Sequence, residues 1–363
     1  MNSERFARAR LEELFSAALE AVDPARAVKG AVRRNGDQIE IAGEALEPGA
    51  RLVVLAVGKA AGTMARALEA VAGDRIAAGL VVVPDGLAVK LEHMTLRETA
   101  HPIPDERCES AGQMAIDLVA GARPDDVLLA MISGGASSLM SCPVEAVTLS
   151  DLANTTDRLL QGGAEIGELN AVRKHLSRLA GGRLTTYASS RRIEVLAISD
   201  VPGDGLDVIG SGPLAADPTS YRDALDSVFR IGGKFPQRVL AHLEAGARGE
   251  FDDTPSPGAA IFERVRSTLL ASNVTAIEAA CLAAEARGMR ALALPGYLKG
   301  EAQVAGRRLA LLGKSTVSSQ SVCAIAGGET AVVVRGNGRG GRNQELALAA
   351  AIELAGNPKV ALL

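Results

Sequence analysis

Residues 323–356 read CAIAGGETAVVVRGNGRGGRNQELALAAAIELAG. An apolar run over 322–326 meets Gly327-Gly328, and the β-branched run over 331–334 predicts a strand. Arg335-Gly336-Asn337-Gly338-Arg339-Gly340-Gly341-Arg342 follows. Its glycines lack Cβ atoms and open φ > 0, so backbone N–H groups can converge on an anion. Its arginines carry planar forks that match carboxylate or phosphate. From Asn343 the pattern is helical, with Glu345 in the first turn and Gly356 as the stop. Strand, glycine-arginine loop and helix N-terminus make a candidate phosphate cradle; the competing reading is a solvated loop kept soluble by its arginines. Gly336, Gly338 and Gly341 also match G-x-G-x-x-G, but that fingerprint opens a βαβ unit with an acidic residue about 20 residues on. Here no acidic residue follows Glu353 and the sequence ends at Leu363. The pattern leads us to expect a chain cut short of its natural domain end.

Upstream, apolar runs over 52–57, 78–83 and 127–132, and the stretch 194–199, predict strands of a parallel sheet, the first of them fully apolar as burial on both faces requires. Each is followed by small or charged residues, where open α/β sheets place their ligands. Gly58-Lys59 follows the first, ahead of a helix over 60–72. A cation at a helix start is disfavoured unless an anion joins it, so Lys59 is a candidate phosphate contact rather than a solvated lysine. Val53 stands where a Walker A glycine would be, so this is no P-loop. Ser133-Gly134-Gly135-Ala136-Ser137-Ser138 follows the third run and reads as a backbone nest, or as a plain tight turn. The loop from Asp200 to Pro213 is long enough to suggest function, and its carboxylates suit Mg²⁺ or merely make turns. Helices are expected over 105–120, 149–160, 167–180, 221–230 and 236–245. The 167–180 helix puts Asn170 and Lys174 on one face. His101, which Pro102 restrains from helix as each proline does its predecessor, reads as a packing residue.

Composition narrows the classes. The 363 residues are 47% apolar and 23% charged, with net charge −4, no Trp, six Phe and three Tyr. An aromatic-poor, weakly acidic chain offers neither a base-stacking platform nor a basic footprint, so no nucleic acid partner is expected. Four scattered cysteines and four histidines without ligand spacing argue against a disulfide framework or a zinc site. The charged, amphipathic start is no secretory signal, and no apolar run of about 18 residues exists to span a membrane. A cytoplasmic protein is expected. The acidic, proline-bearing stretch 250–258 reads as a linker, dividing the chain into domains 1–249 and 259–363. Strands alternate with helices in both, so we expect an α/β fold of two α/β domains. The N-terminal domain is expected to be Rossmann-like with a mainly parallel sheet, and a cleft between the two domains to hold the site.

Several stretches together resemble one family: VGKAAGTMA, HPIPDE, ISGGASSL, NAVRKHLSRLAGGRL, SDVPGDG with SGP, and GGETAVVVRGNGRGGRNQELAL. The chain is similar to the class II glycerate kinases (glycerate 2-kinases), whose C-terminal part is called the MOFRL domain. The resemblance implies transfer of the γ-phosphoryl of ATP to the 2-hydroxyl of D-glycerate, with Mg²⁺, by a monomer or homodimer. The family's key lysine matches Lys59 and its key arginine Arg342. Further contacts to nucleotide and substrate are assigned to Ser133, Gly134, Gly135, Ser137, Lys174, Gly338, Arg339 and Asn343. The metal is assigned to Asp200 and Asp204, although the family's aspartate pair appears here as Asp204-Gly205. The family also continues past Leu363 with a segment of the GTDGTDGPT kind. Some members carry the name hydroxypyruvate reductase, so the alternatives are an NAD(P)H-dependent reductase and a non-catalytic metabolite-binding protein.

Overall fold

The structure, a computed structural model, describes residues 2–316 and 320–363. Six strands make one sheet: β1 (Leu52–Val57), β2 (Ile76–Pro84), β3 (Thr95–Thr99), β4 (Val127–Ile132), β5 (Arg192–Ile198) and β6 (Val265–Ala271), in the order β3-β2-β1-β4-β5-β6. The ladders β1–β2, β1–β4, β2–β3 and β4–β5 are parallel. Every residue of β1 and of β4 is buried, because helices cover both faces. Val53, Leu55 and Val57 enter one core with Leu128, Ala130 and Ile132. Leu52, Val54 and Ala56 enter the other with Val127, Leu129 and Met131, as the two-residue strand period requires. The helix Ala61–Ala72 joins β1 to β2 and Glu106–Ala120 joins β3 to β4. The strand order reverses between β1 and β4, so the sheet's switch point lies at their carboxyl ends.

The chain divides into two compact units, Pro24–Leu270 on one hand and Met1–Asp23 with Ala271–Leu363 on the other. These bounds differ from the expected 1–249 and 259–363. Residues 250–258 are no linker: Asp253 Oδ1 accepts from Tyr221 N at 3.0 Å and lies 2.8 Å from His175 Nε2, and the Thr254 hydroxyl donates to Asp217 at 3.0 Å. A polar, proline-bearing composition there serves to anchor a return segment. At the other end, the helix Asn2–Ala21 packs on Asn273–Glu285 and shares an ion pair, Glu13 with Arg287 at 2.8 Å.

In the smaller unit β7 (Arg290–Ala293) and β8 (Val322–Ile325) pair in parallel. The helix Arg342–Leu354 crosses Ala302–Ser315 where Gly306 lets the backbones approach; a Cβ there would stand 2.2 Å from the Leu346 carbonyl oxygen. The strand expected over 331–334 is absent from the described residues. Ala331 makes only an isolated bridge to Glu301, and Val333 and Val334 are exposed. A β-branched run becomes a strand only where a partner edge meets it. The helix expected over 167–180 ends at His175, and Ser177 then caps the next turn, its hydroxyl accepting from Leu179 N and Ala180 N at 3.1 Å each. No helix among the described residues is long and apolar enough to cross a membrane.

Candidate active site

The loops after β1 and β4 are laced together by main-chain bonds. Ser133 N donates to Val57 O at 3.0 Å, and Lys59 N donates to Gly134 O at 2.9 Å. Ala60 N donates to the Ser133 hydroxyl at 3.1 Å. So close an approach requires glycine at position 58. Its φ is +127°, and a Cβ would lie 2.2 Å from Ser133 Oγ and 2.5 Å from the Ser133 carbonyl oxygen. The β3 loop joins the same place, because the Thr99 hydroxyl at the end of that strand donates to Leu139 O at 3.0 Å.

Three side chains from three loops converge on the Gly134–Gly135 peptide. A Cβ on Gly134 would lie 1.8 Å from Asp200 Oδ2. A Cβ on Gly135 would lie 2.6 Å from His101 Nε2 and 3.6 Å from Lys59 Cε. Lys59 and Asp200 are exposed and His101 is half-buried. Burial first, then the Lys59 charge, holds the His101 imidazole below its ordinary range, with Asp200 opposing only in part. The ring is therefore neutral at pH 7. The cluster thus combines a cation, a carboxylate and a neutral imidazole on a glycine turn, at the place where an open α/β sheet binds its ligands.

His101 reads from the sequence as a packing residue, whereas the structure sets it against Gly135. The signal that could have found it is its place just past the carboxyl end of β3, in the sheet that carries Lys59. Ser137, one turn beyond Gly135, accepts from Arg173 Nη2 at 3.1 Å. Lys174 does not face this surface. Its ammonium is 2% exposed and lies 3.2 Å from Asp207 and 3.1 Å from Asp217, so it tethers the loop after β5 instead of meeting a ligand. Burial would raise the Asp217 carboxyl, but the Lys174 charge and the Thr219 hydrogen bonds outweigh it and hold the group below its usual range. Lys174 is assigned from the sequence to ligand contact because a basic helical face looks the same whether it meets a ligand or a buried carboxylate.

Asp204, in the same loop as Asp200, adopts a left-handed φ of +54°. No group of three or more His, Cys, Asp or Glu among the described residues is arranged to hold a metal. Asp200 is exposed and Asp204 half-buried; Mg²⁺ takes one or two carboxylates and fills the rest of its shell from phosphates and water. Gly338, Arg339, Arg342 and Asn343 belong to the smaller unit. Gly338 and Arg339 lie in an irregular, exposed stretch, and Arg342 opens the helix Arg342–Leu354. No side chain caps that helix start, and Arg342 Nη2 donates to Glu329, which itself follows the close turn at Gly327 and Gly328. A Cβ on Gly327 would lie 1.9 Å from Asn273 Oδ1, so that turn is pressed against the start of Asn273–Glu285.

A doubly wound sheet with its polar residues gathered at the switch point is the architecture of an α/β enzyme. A family described as "Domain of unknown function (DUF4147)" matches residues 10–244, and the MOFRL family matches 322–363. A glycerate 2-kinase of Pyrococcus horikoshii is 38% identical, over 93% of this chain and 77% of that one. A protein of Agrobacterium vitis that bears the name hydroxypyruvate reductase is also 38% identical, over 96% and 77%. The crystal structure of a glycerate kinase from Thermotoga maritima superposes with a TM-score of 0.81 at 34% identity, over 97% of this chain and 81% of its own. The chain belongs to the glycerate 2-kinase family.

Proposed function

We propose that this protein transfers the γ-phosphoryl group of ATP to the 2-hydroxyl of D-glycerate, giving 2-phosphoglycerate. The observation that carries this reading is the meeting of Lys59, His101 and Asp200 on the Gly134–Gly135 turn at the sheet's switch point. The glycerate kinases among its relatives supply the substrate class.

Phosphoryl transfer asks a protein mainly for positioning and charge stabilisation. Lys59 supplies a positive charge for the transferring phosphoryl group, and the small residues from Ser133 to Ser137 allow close approach of an anion to backbone N–H groups. Mg²⁺, when bound, would neutralise phosphate charge, and Asp200 with Asp204 is the carboxylate set that would hold it. His101, kept neutral, is able to accept the proton that the substrate hydroxyl loses. Arg342, at a helix start in the smaller unit with Gly338, Arg339 and Asn343 beside it, carries a planar fork of the kind that matches a phosphate.

The test is an assay with ATP, Mg²⁺ and D-glycerate in which product passes to enolase with no mutase present. Signal there means 2-phosphoglycerate. Signal only after a mutase is added means 3-phosphoglycerate and overturns the regiochemistry. Silence in both, with NADH consumed on hydroxypyruvate, would bring the reductase reading forward. That reading needs the glycine fingerprint to follow a strand, and 331–341 holds none among the described residues.

A further inference from the structure

Arg173 is charged at any physiological pH, yet it is not paired with a carboxylate. Its guanidinium is half-buried, its hydrogen-bond partner is the Ser137 hydroxyl at 3.1 Å, and no carboxylate stands at ion-pair distance among the described residues. Burial pushes the group below its ordinary range, with no opposing anion. Its neighbour Lys174 shows the contrast, since that cation lies between two carboxylates. A desolvated cation without a counter-ion is costly, and a bound anion relieves it.

Arg173 lines a pocket together with Ser137, Ser141 and Ser211. Ser141 and Ser211 are each 4% exposed, and neither hydroxyl bonds to another described residue. Met140, Leu152 and Leu179 form its apolar walls. The wall that carries Ser211 is held in a strained form. Gly210, Ser211 and Gly212 have φ of +60°, +62° and +58°, a left-handed run that a serine, with its Cβ, enters only under strain. The run is pinned from outside, Gly181 N donating to Ser211 O at 2.9 Å and Gly182 N to Gly212 O at 2.7 Å. Gly210 is needed for the fit, because a Cβ there would stand 2.9 Å from the Ala136 Cβ.

We infer that this pocket seats the carboxylate of the hydroxy-acid substrate, with Arg173 as its counter-ion and the hydroxyls of Ser137, Ser141 and Ser211 as donors. The inference rests on the reading of the protein as a kinase of glycerate and assigns the part of the site that recognises the acid. One planar fork with hydroxyls between apolar walls suits a single small carboxylate. A triphosphate with its hydrated cation suits the exposed Lys59 and Asp200 instead. The same guanidinium could also receive a phosphate of the nucleotide, and the test separates the two anions.

Arg173→Met and Arg173→Lys are to be compared with the wild type for KM of D-glycerate, KM of MgATP and melting temperature, and D-glyceramide is to be tried as a substrate without the charge. The expected result for Arg173→Met is a KM for D-glycerate higher by about 10²-fold or more, a MgATP KM within about threefold, and reduced preference for D-glycerate over D-glyceramide. Arg173→Lys, which keeps the charge and loses the fork, falls between the two and serves if the methionine variant does not fold. A rise in the MgATP KM alone overturns the assignment in favour of a nucleotide phosphate. No change in either KM overturns it in favour of a purely structural arginine. If the wild type does not phosphorylate D-glycerate, the kinase reading fails separately. Calorimetric titration of D-glycerate into wild type and Arg173→Met then decides the pocket. Binding lost in the variant supports it, and equal binding or none to the wild type refutes it.

Discussion

Gly134→Ala isolates the contribution of Asp200. Gly134 has no left-handed φ, so the backbone accepts alanine; the obstacle is the Asp200 carboxylate, with Oδ2, Cγ and Oδ1 at 1.8, 2.5 and 2.8 Å from the new Cβ. Ordinary carbon contacts are about 3.5–4.0 Å, so the carboxylate must withdraw by roughly 1.5–2 Å. Asp200 is an exposed side chain, so its withdrawal costs stability on the order of 1 kcal/mol, or ~2–4 °C in melting temperature. Catalysis tolerates such a movement poorly, since a displacement of about 1 Å can cost ~10²-fold in rate. That factor corresponds to about 2.7 kcal/mol of barrier. The assay is kcat/KM for phosphorylation of D-glycerate at several Mg²⁺ concentrations, beside a thermal melt. We expect kcat/KM to fall by about 10²-fold, with partial recovery at high Mg²⁺ and little change in melting temperature. Activity within about threefold of wild type at an unchanged melting temperature would show that Asp200 is not used where it stands.

Three further outcomes follow from the same geometry. In Lys59→Met, loss of the nearby charge lets the His101 imidazole rise toward its ordinary range, so NMR should find it titrating at higher pH while turnover falls by about 10³-fold; an unmoved titration refutes the coupling. Lys174→Met leaves two carboxylates facing a buried gap and should cost about 3–5 kcal/mol in urea denaturation. Asp217 is held below its usual range, so its stabilising contribution is present above about pH 4 and fades as pH falls through the folded value; in Lys174→Met this acid dependence should flatten. Arg342→Lys keeps the charge but loses the fork, so kcat should drop by at least about tenfold with an unchanged melt, and full turnover would show that the fork of Arg342 is not used.

The large sheet was legible because its central strands are apolar at every position, a pattern that a surface element cannot carry. That Lys59, the Ser133–Ser137 turn and Asp200 stand past strand ends was legible, since the first two follow strands apolar throughout and Asp200 follows a largely apolar one. What escaped the sequence depends on partners distant along the chain. Val332 to Val334 has strand propensity but meets no edge, and 250–258 has a linker's composition but fastens Asp253 to His175 and buries Thr254 against Asp217. Arg173 and Lys174 are adjacent in sequence, yet one faces an open pocket and the other two carboxylates. Helical periodicity separates their directions but does not say what each one meets. The first helix was grouped with the residues that follow it, although its packing partner lies some 250 residues on, at Asn273–Glu285.

That last pairing bears on how the chain is made. Residues 24–270 leave the ribosome as a continuous stretch containing everything their own sheet requires, so this unit can complete itself while synthesis proceeds. The helix Asn2–Ala21 is translated ahead of that unit yet must wait for Asn273–Glu285, with its apolar Leu14 side uncovered meanwhile. The smaller unit is therefore assembled after the larger one, from two segments that flank it in the sequence. A fragment beginning at Ala271 would lack one of its walls, and would be expected to regain it only when a peptide of residues 1–23 is supplied.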